Sequence, residues 1–142
     1  MTDTTTPRSP TYRTITLTGR PPVKIDEAAW PVIAEGDYKD CDNQFEFQAN
    51  RVWKIIMRVR RHADGRAIVY GIYDYSTNVQ NERDEAHRCG ELTLAGADQN
   101  IADTIEEVGA QLIERIADEG MHRHVRNVVA ECIADMPAET LD

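Results

Sequence analysis

The chain has 142 residues, which fits a single domain with its own hydrophobic core and no need of covalent staples. Its formal net charge of -9 disfavours non-specific attachment to DNA or to an anionic membrane. Its 3 cysteines, Cys41, Cys89 and Cys132, are odd in number and far apart, so the expectation is reduced thiols in a cytoplasmic protein rather than a disulfide framework.

The N-terminal stretch MTDTTTPRSP is polar and threonine-rich, without the apolar core of a secretory signal. Residues 1–11 are expected to be a disordered tail and 12–142 a single domain. Tyr12 to Thr18 alternates as a strand, with Ile15 and Leu17 on one side. Gly19 to Pro22 breaks it, and Val23 with Ile25 forms a short extended piece. Asp26 caps a helical turn through Trp30, limited by Pro31, and a second turn at Val32 to Glu35 ends at Gly36. The run GDYKDCDN (36–43) reads as a polar loop.

From Phe45 to Val59 the odd positions are apolar except at Arg51. Two readings fit: one long strand from about Gln44 to His62, or two strands with a break or bulge at Asn50-Arg51. The clearest element follows. Trp53 to Ser76 reads as a β-hairpin turning at Asp64-Gly65, a favoured two-residue loop. That turn pairs Val59 with Tyr70 and Met57 with Ile72. One face then collects Trp53, Ile55, Met57, Val59, Ile68, Tyr70 and Ile72. The other carries Lys54, Arg58 and Arg60 beside Tyr73 and Tyr75, a basic and aromatic ribbon. In this register Asp74 falls on the apolar face, opposite Ile55.

Residues 77–87 are polar and read as a loop. Cys89 to Leu94 is a further strand with Leu92 and Leu94 facing in. The period then changes from two to about 3.6. Ile101, Ile105, Val108, Leu112 and Ile116 form one helical stripe, capped by Asp98 or Asn100, with Gly109 allowing close packing and Gly120 as its stop. A second helix, about Met121 to Asp135, presents Val125, Val128, Cys132 and Ile133. These stripes are core, or else an interface in a homodimer. The fold class is α+β: an antiparallel sheet built on a central hairpin, with two C-terminal helices packed on one face.

Enzyme signatures are weak throughout. Asp84-Glu85-Ala86-His87 spells a helicase motif, but no phosphate-binding loop accompanies it. His87 and Cys89 share a strand face, yet lack the paired short spacings of structural zinc and the orienting partner of a thiol nucleophile. His122 and His124 diverge on a helix. No catalytic residue, metal or cofactor is assigned.

Charge is unevenly placed. Residues 51–66 hold six Arg or Lys against one Asp, and 98–142 hold eleven Asp or Glu against three Arg. Two surfaces therefore suggest themselves: the ribbon of Lys54, Arg58, Arg60, Tyr73 and Tyr75, and the acidic set Glu106, Glu107, Glu114, Asp118 and Glu119.

The runs TITLTGRPPVKIDEAAWPVIAEG (14–36), RVRRHADGRAIVYGIYD (58–74) and ECIADMPAETLD (131–142) resemble small uncharacterised proteins of proteobacterial phages, prophages and integrative elements. The resemblance implies a mobile-element setting and carries no functional residue. It makes an inhibitor of a host defence complex, of the anti-CRISPR or anti-restriction kind, the leading expectation. That inhibitor is a non-enzymatic protein-binding module. The alternatives are a nucleic-acid-binding protein using the basic hairpin, which net charge disfavours, and a small enzyme without a readable motif, for which Asp74 and His87 are the residues to replace.

Overall fold

The computed structural model describes residues 10–17, 19–44, 49–84 and 86–138. The expected N-terminal tail lies almost wholly outside them. The architecture is α+β. Strands β3 (Val32–Gln44), β4 (Ala49–Arg61), β5 (Ala67–Thr77) and β6 (His87–Ala95) form an antiparallel meander in chain order. Helices α1 (Ile101–Arg115) and α2 (His122–Ala134) pack on one face. A separate hairpin of β1 (Tyr12–Ile15) and β2 (Val23–Asp26) packs on the other.

The central hairpin is present, but its register differs from expectation by one residue. Val59 pairs with Val69, Met57 with Gly71 and Ile55 with Tyr73. The cause is the turn. Gly65 N–H donates to His62 O at 2.9 Å, and His62 N–H to Arg66 O at 2.9 Å. Gly65 takes φ 94°. Ala63, Asp64 and Gly65 thus form a three-residue loop ending in a left-handed glycine, not a two-residue turn. Because side chains alternate with period two, the slip sends every β5 side chain to the face opposite the one expected.

The helix-facing layer therefore holds Ile55, Met57 and Val59 of β4 with Val69 and Tyr73 of β5. Ile105, Val108, Leu112, Val125, Val128 and Cys132 close it from the helices, so both stripes are core within one chain. Two glycines permit this approach. A Cβ at Gly36 would strike the Val128 carbonyl of α2, and one at Gly109 would strike the Val129 side chain. On the opposite face, Ile68, Tyr70, Ile72 and Leu92 meet Ile15, Leu17, Val23 and Ile25. Leu92 and Leu94 thus point away from the helices, and Leu94 is exposed. The sheet is covered on both sides here, a third layer that the sequence did not suggest.

Several other boundaries move. The expected loop at 36–43 is strand, the outer half of β3 paired along β4. The expected second turn at Val32 to Glu35 is also strand, entered through a bulge between Val32 and Ala34. Asp26 does hold a turn, accepting from Ala28 N–H at 3.1 Å. β4 runs unbroken through Asn50-Arg51, while residues 45–48 lie outside the described set. Asn100 is the cap of α1, its side chain accepting from Ala102 and Asp103 N–H. That helix ends at Arg115, well before Gly120, because Ile116 turns extended to fill the core and His122 meets its carbonyl at 2.8 Å. Among the described residues no helix is long and apolar enough to cross a membrane.

Candidate functional site

The corrected register gathers aromatic side chains at one end of the helix-facing layer. Trp53 pairs with Tyr75, Tyr75 with His87, and Tyr73 with Cys89, all on that face. α1 has ended by this point, and residues 116–121 run past instead. Between them lies a hollow of about 400 Å³ lined by Trp53, Tyr73, Tyr75, His87, Ala117 and Asp118.

The Trp53 and Tyr75 rings stack with centroids 5.3 Å apart and planes 19° from parallel. His87 tilts against Tyr73 at 5.1 Å. Tyr75 is fixed from its tip, its hydroxyl donating to Glu82 Oε1 at 3.1 Å. Glu82 is held in turn by a forked pair of bonds from Arg51, which also reaches Asp42 at 2.9 Å. This bonding keeps the Glu82 carboxyl below its ordinary value, the Arg51 hydrogen bond being the main cause. Tyr73 is 1 % exposed, and its phenol is pushed up to about 12, first by burial and next by the Asp118 charge. Asp118 accepts from Gly120 N–H at 2.9 Å and so fixes the segment that carries it.

The basic ribbon is not assembled. Tyr73 and Tyr75 face the helices, whereas Lys54, Arg58 and Arg60 face the other way. The two arginines are engaged inside the fold. Arg58 bonds Glu35 at 2.6 Å and the Tyr70 hydroxyl at 3.3 Å. Arg60, 4 % exposed, bonds the same hydroxyl at 3.1 Å and Trp30 O at 3.2 Å. Lys54 remains exposed beside Asp74, which pairs with Lys54 and Arg88 across the sheet. Asp74 is therefore not opposite Ile55 on the apolar layer; the register slip has moved it among cations.

No family model, curated protein or solved structure matches the chain.

The acidic set is disposed differently. At about 100° per residue, Asp103, Glu106, Glu107, Ala110 and Glu114 fall within roughly 100° of one another around α1. All are exposed. Glu107 accepts from Gln111 at 3.2 Å. Glu106, Glu114 and Glu119 make no ion pair with another described residue. Asp118 and Glu119 continue the acidic run into the segment that borders the hollow. A carboxylate at Glu114 sits in the last turn, where the helix dipole disfavours negative charge. Its presence there contributes nothing to the helix itself.

The thiols are separate. Cys41 is exposed, and Cys89 and Cys132 are buried on different elements. Burial pushes Cys132 up to about 12 and also raises Cys89. Among the described residues no three His, Cys, Asp or Glu side chains converge as a metal site would require. His124 stacks on Tyr38 at 4.0 Å, away from His122.

In the sequence Trp53 and Glu82 stand out only as strand and loop residues, and His87 only beside Cys89 and as a residue of the enzyme alternative. Their association with Tyr75 needed the correct register, and the approach of Asp118 needed the path of residues 116–121.

Proposed function

We propose that this protein is a binding module that engages a basic surface of a partner protein through its acidic helix layer. The mobile-element resemblance gives the reading its specific form, an inhibitor that occupies a basic nucleic-acid channel of a host defence complex. The observation that carries it is the contrast in how charge is used. Of the basic residues of β4, Arg51, Arg58 and Arg60 are bound within the fold, while Lys54 stays exposed beside Asp74. The carboxylates of α1 and of residues 118–119 stand outward and unpaired by described cations. A surface of one sign steers association with a surface of the other and sets its register.

The test is affinity capture from a nuclease-treated lysate of the source organism, with the wild type and a Glu106→Lys, Glu107→Lys, Glu114→Lys triple variant. One stoichiometric protein retained by the wild type and lost by the variant is the expected result. Equal retention by both removes the acidic helix from the account. A preparation that retains nothing after nuclease, yet shifts duplex DNA in a salt-sensitive way, turns it towards nucleic acid.

A further inference from the structure

We propose that the hollow at the end of the sheet is a cation site that receives the guanidinium of an arginine side chain, presented by the basic partner inferred above. The argument starts from the walls. Trp53 and Tyr75 are only half-buried and present a stacked aromatic pair at the rim. The face of an indole or phenol ring carries partial negative charge and attracts cations, Trp most strongly. Two such rings with their orientation fixed by Arg51, Glu82 and the Tyr75 hydroxyl form a preset platform.

The polar groups point to a ligand that donates hydrogen bonds. Tyr73 lines the hollow, and its hydroxyl makes no hydrogen bond to another described residue. A hydroxyl on the wall of a hollow with no partner in the protein is free to accept from a ligand or water there. Asp118 uses one carboxylate oxygen for Gly120 N–H. Its other oxygen makes no hydrogen bond to a described residue, and Asp118 lines the same hollow as Tyr73. A guanidinium has five N–H donors and no acceptor, which matches a hydroxyl and a carboxylate that both accept.

The charges around the hollow favour a cation as well. Arg51 is neutralised by Asp42 and Glu82, and Arg115 by Glu91. Asp118 and the adjoining Glu119 have no such counter-charge among the described residues. The volume, about 400 Å³, lies at the small end of the roughly 300–1,000 Å³ typical of ligand sites, which suits one long side chain. A planar guanidinium stacks on an aromatic face and bonds at its edge simultaneously, which the compact ammonium of lysine does not.

The site is tested without the partner, by titrating N-acetyl-arginine-N-methylamide into the isotope-labelled full chain and following the Trp53 indole N–H resonance. The expected result is a saturable shift, with a dissociation constant on the order of 10 mM for one cation–π and one charged hydrogen-bonded contact. The amides of residues 73–75 and 117–119 move with it. The neutral citrulline analogue gives no saturable shift, and the lysine analogue binds more weakly. Asp118→Asn, which keeps an oxygen for Gly120 N–H, weakens the arginine compound about tenfold, and Tyr73→Phe weakens it about threefold. An equal response to arginine and citrulline overturns the proposal, as does unchanged affinity in Asp118→Asn in a spectrum that is otherwise wild type. Tighter binding of the lysine analogue overturns the choice of arginine. No saturable response up to about 100 mM, tenfold above the expected constant, also overturns it. Such a failure leaves the helix-layer reading standing, since that fails only when charge reversal on α1 spares partner capture.

Discussion

Gly36→Ala should be among the most damaging single-methyl changes in this chain. The added Cβ would meet the backbone of α2 rather than a mobile side chain. It strikes the Val128 carbonyl and lies 3.0 Å from Cys132 N and 3.3 Å from Glu131 Cβ. The helix must retreat, and two contacts retreat with it: Glu35 N–H to Asp135 at 2.9 Å and Asp37 N–H to Glu131 at 3.4 Å. Overpacking costs about 1–3 kcal/mol, and the upper end applies when backbone must move. Two weakened, exposed hydrogen bonds add about 1 kcal/mol. Replacing glycine in a strand returns roughly 0.5–1 kcal/mol through the unfolded chain. The net loss is about 3 kcal/mol. In urea, with a slope near 2 kcal/mol/M, the midpoint should fall by about 1.5 M with the slope unchanged. Gly109→Ala is the internal control. Its Cβ also meets a close neighbour, but that neighbour is the end of the half-buried Val129 side chain, and the helix gains about 1 kcal/mol from alanine. It should fall within about 1 kcal/mol of wild type, and adding Val129→Ala should make it equal or better. Gly36→Ala within 0.5 kcal/mol of wild type, on the order of ordinary surface changes, would refute this account of how α2 seats on the sheet.

Other outcomes follow from the same structure. Tyr70→Phe removes the acceptor shared by Arg58 and Arg60, and should lower unfolding free energy by about 1–3 kcal/mol, read by the same urea titration. Glu82 is depressed by its bond to Arg51, so its contribution is present above the ordinary glutamate range near about 4.3 and is lost as pH falls through the folded value. Glu82→Gln should flatten that acid limb of the stability curve, measured as the melting midpoint from pH 6 down, on the order of one to two pH units either side of the transition. With a thiol-reactive reagent at about pH 8, near the ordinary cysteine range, Cys41 should react at once, while Cys89 and Cys132 wait for unfolding.

The two helices were legible in the sequence because their apolar positions repeat at 3.6 and their other faces are charged. Ile105, Val108 and Leu112 are buried as that stripe requires. The hairpin was legible as an element, but not in its register. β5 is buried on both faces over most of its length, against the helices through Val69 and Tyr73 and against the first hairpin through Ile68 and Tyr70. A strand apolar on both sides gives alternation no power to choose between registers, and Asp64-Gly65 suits a two-residue loop as well as the three-residue loop that forms. The outer half of β3 was hidden for the opposite reason. At the sheet edge Asp37, Lys39, Asp40 and Asp42 are exposed, so the strand carries a loop's composition. The site inherited both difficulties. Tyr73, Tyr75 and Asp118 were each picked out, but the tyrosines were grouped with arginines that lie across the sheet from them. Trp53 joins them only through its pairing with Tyr75.

The most direct test of the acidic-surface account is hydrogen–deuterium exchange on the captured complex against the free protein. Protection concentrated on the outward face of α1 and on residues 116–121, with the sheet face around Lys39, Lys54 and Arg88 unchanged, is the result expected. Protection confined to that sheet face, with α1 exchanging as in the free protein, would contradict the account and return the basic side of the molecule as the interface.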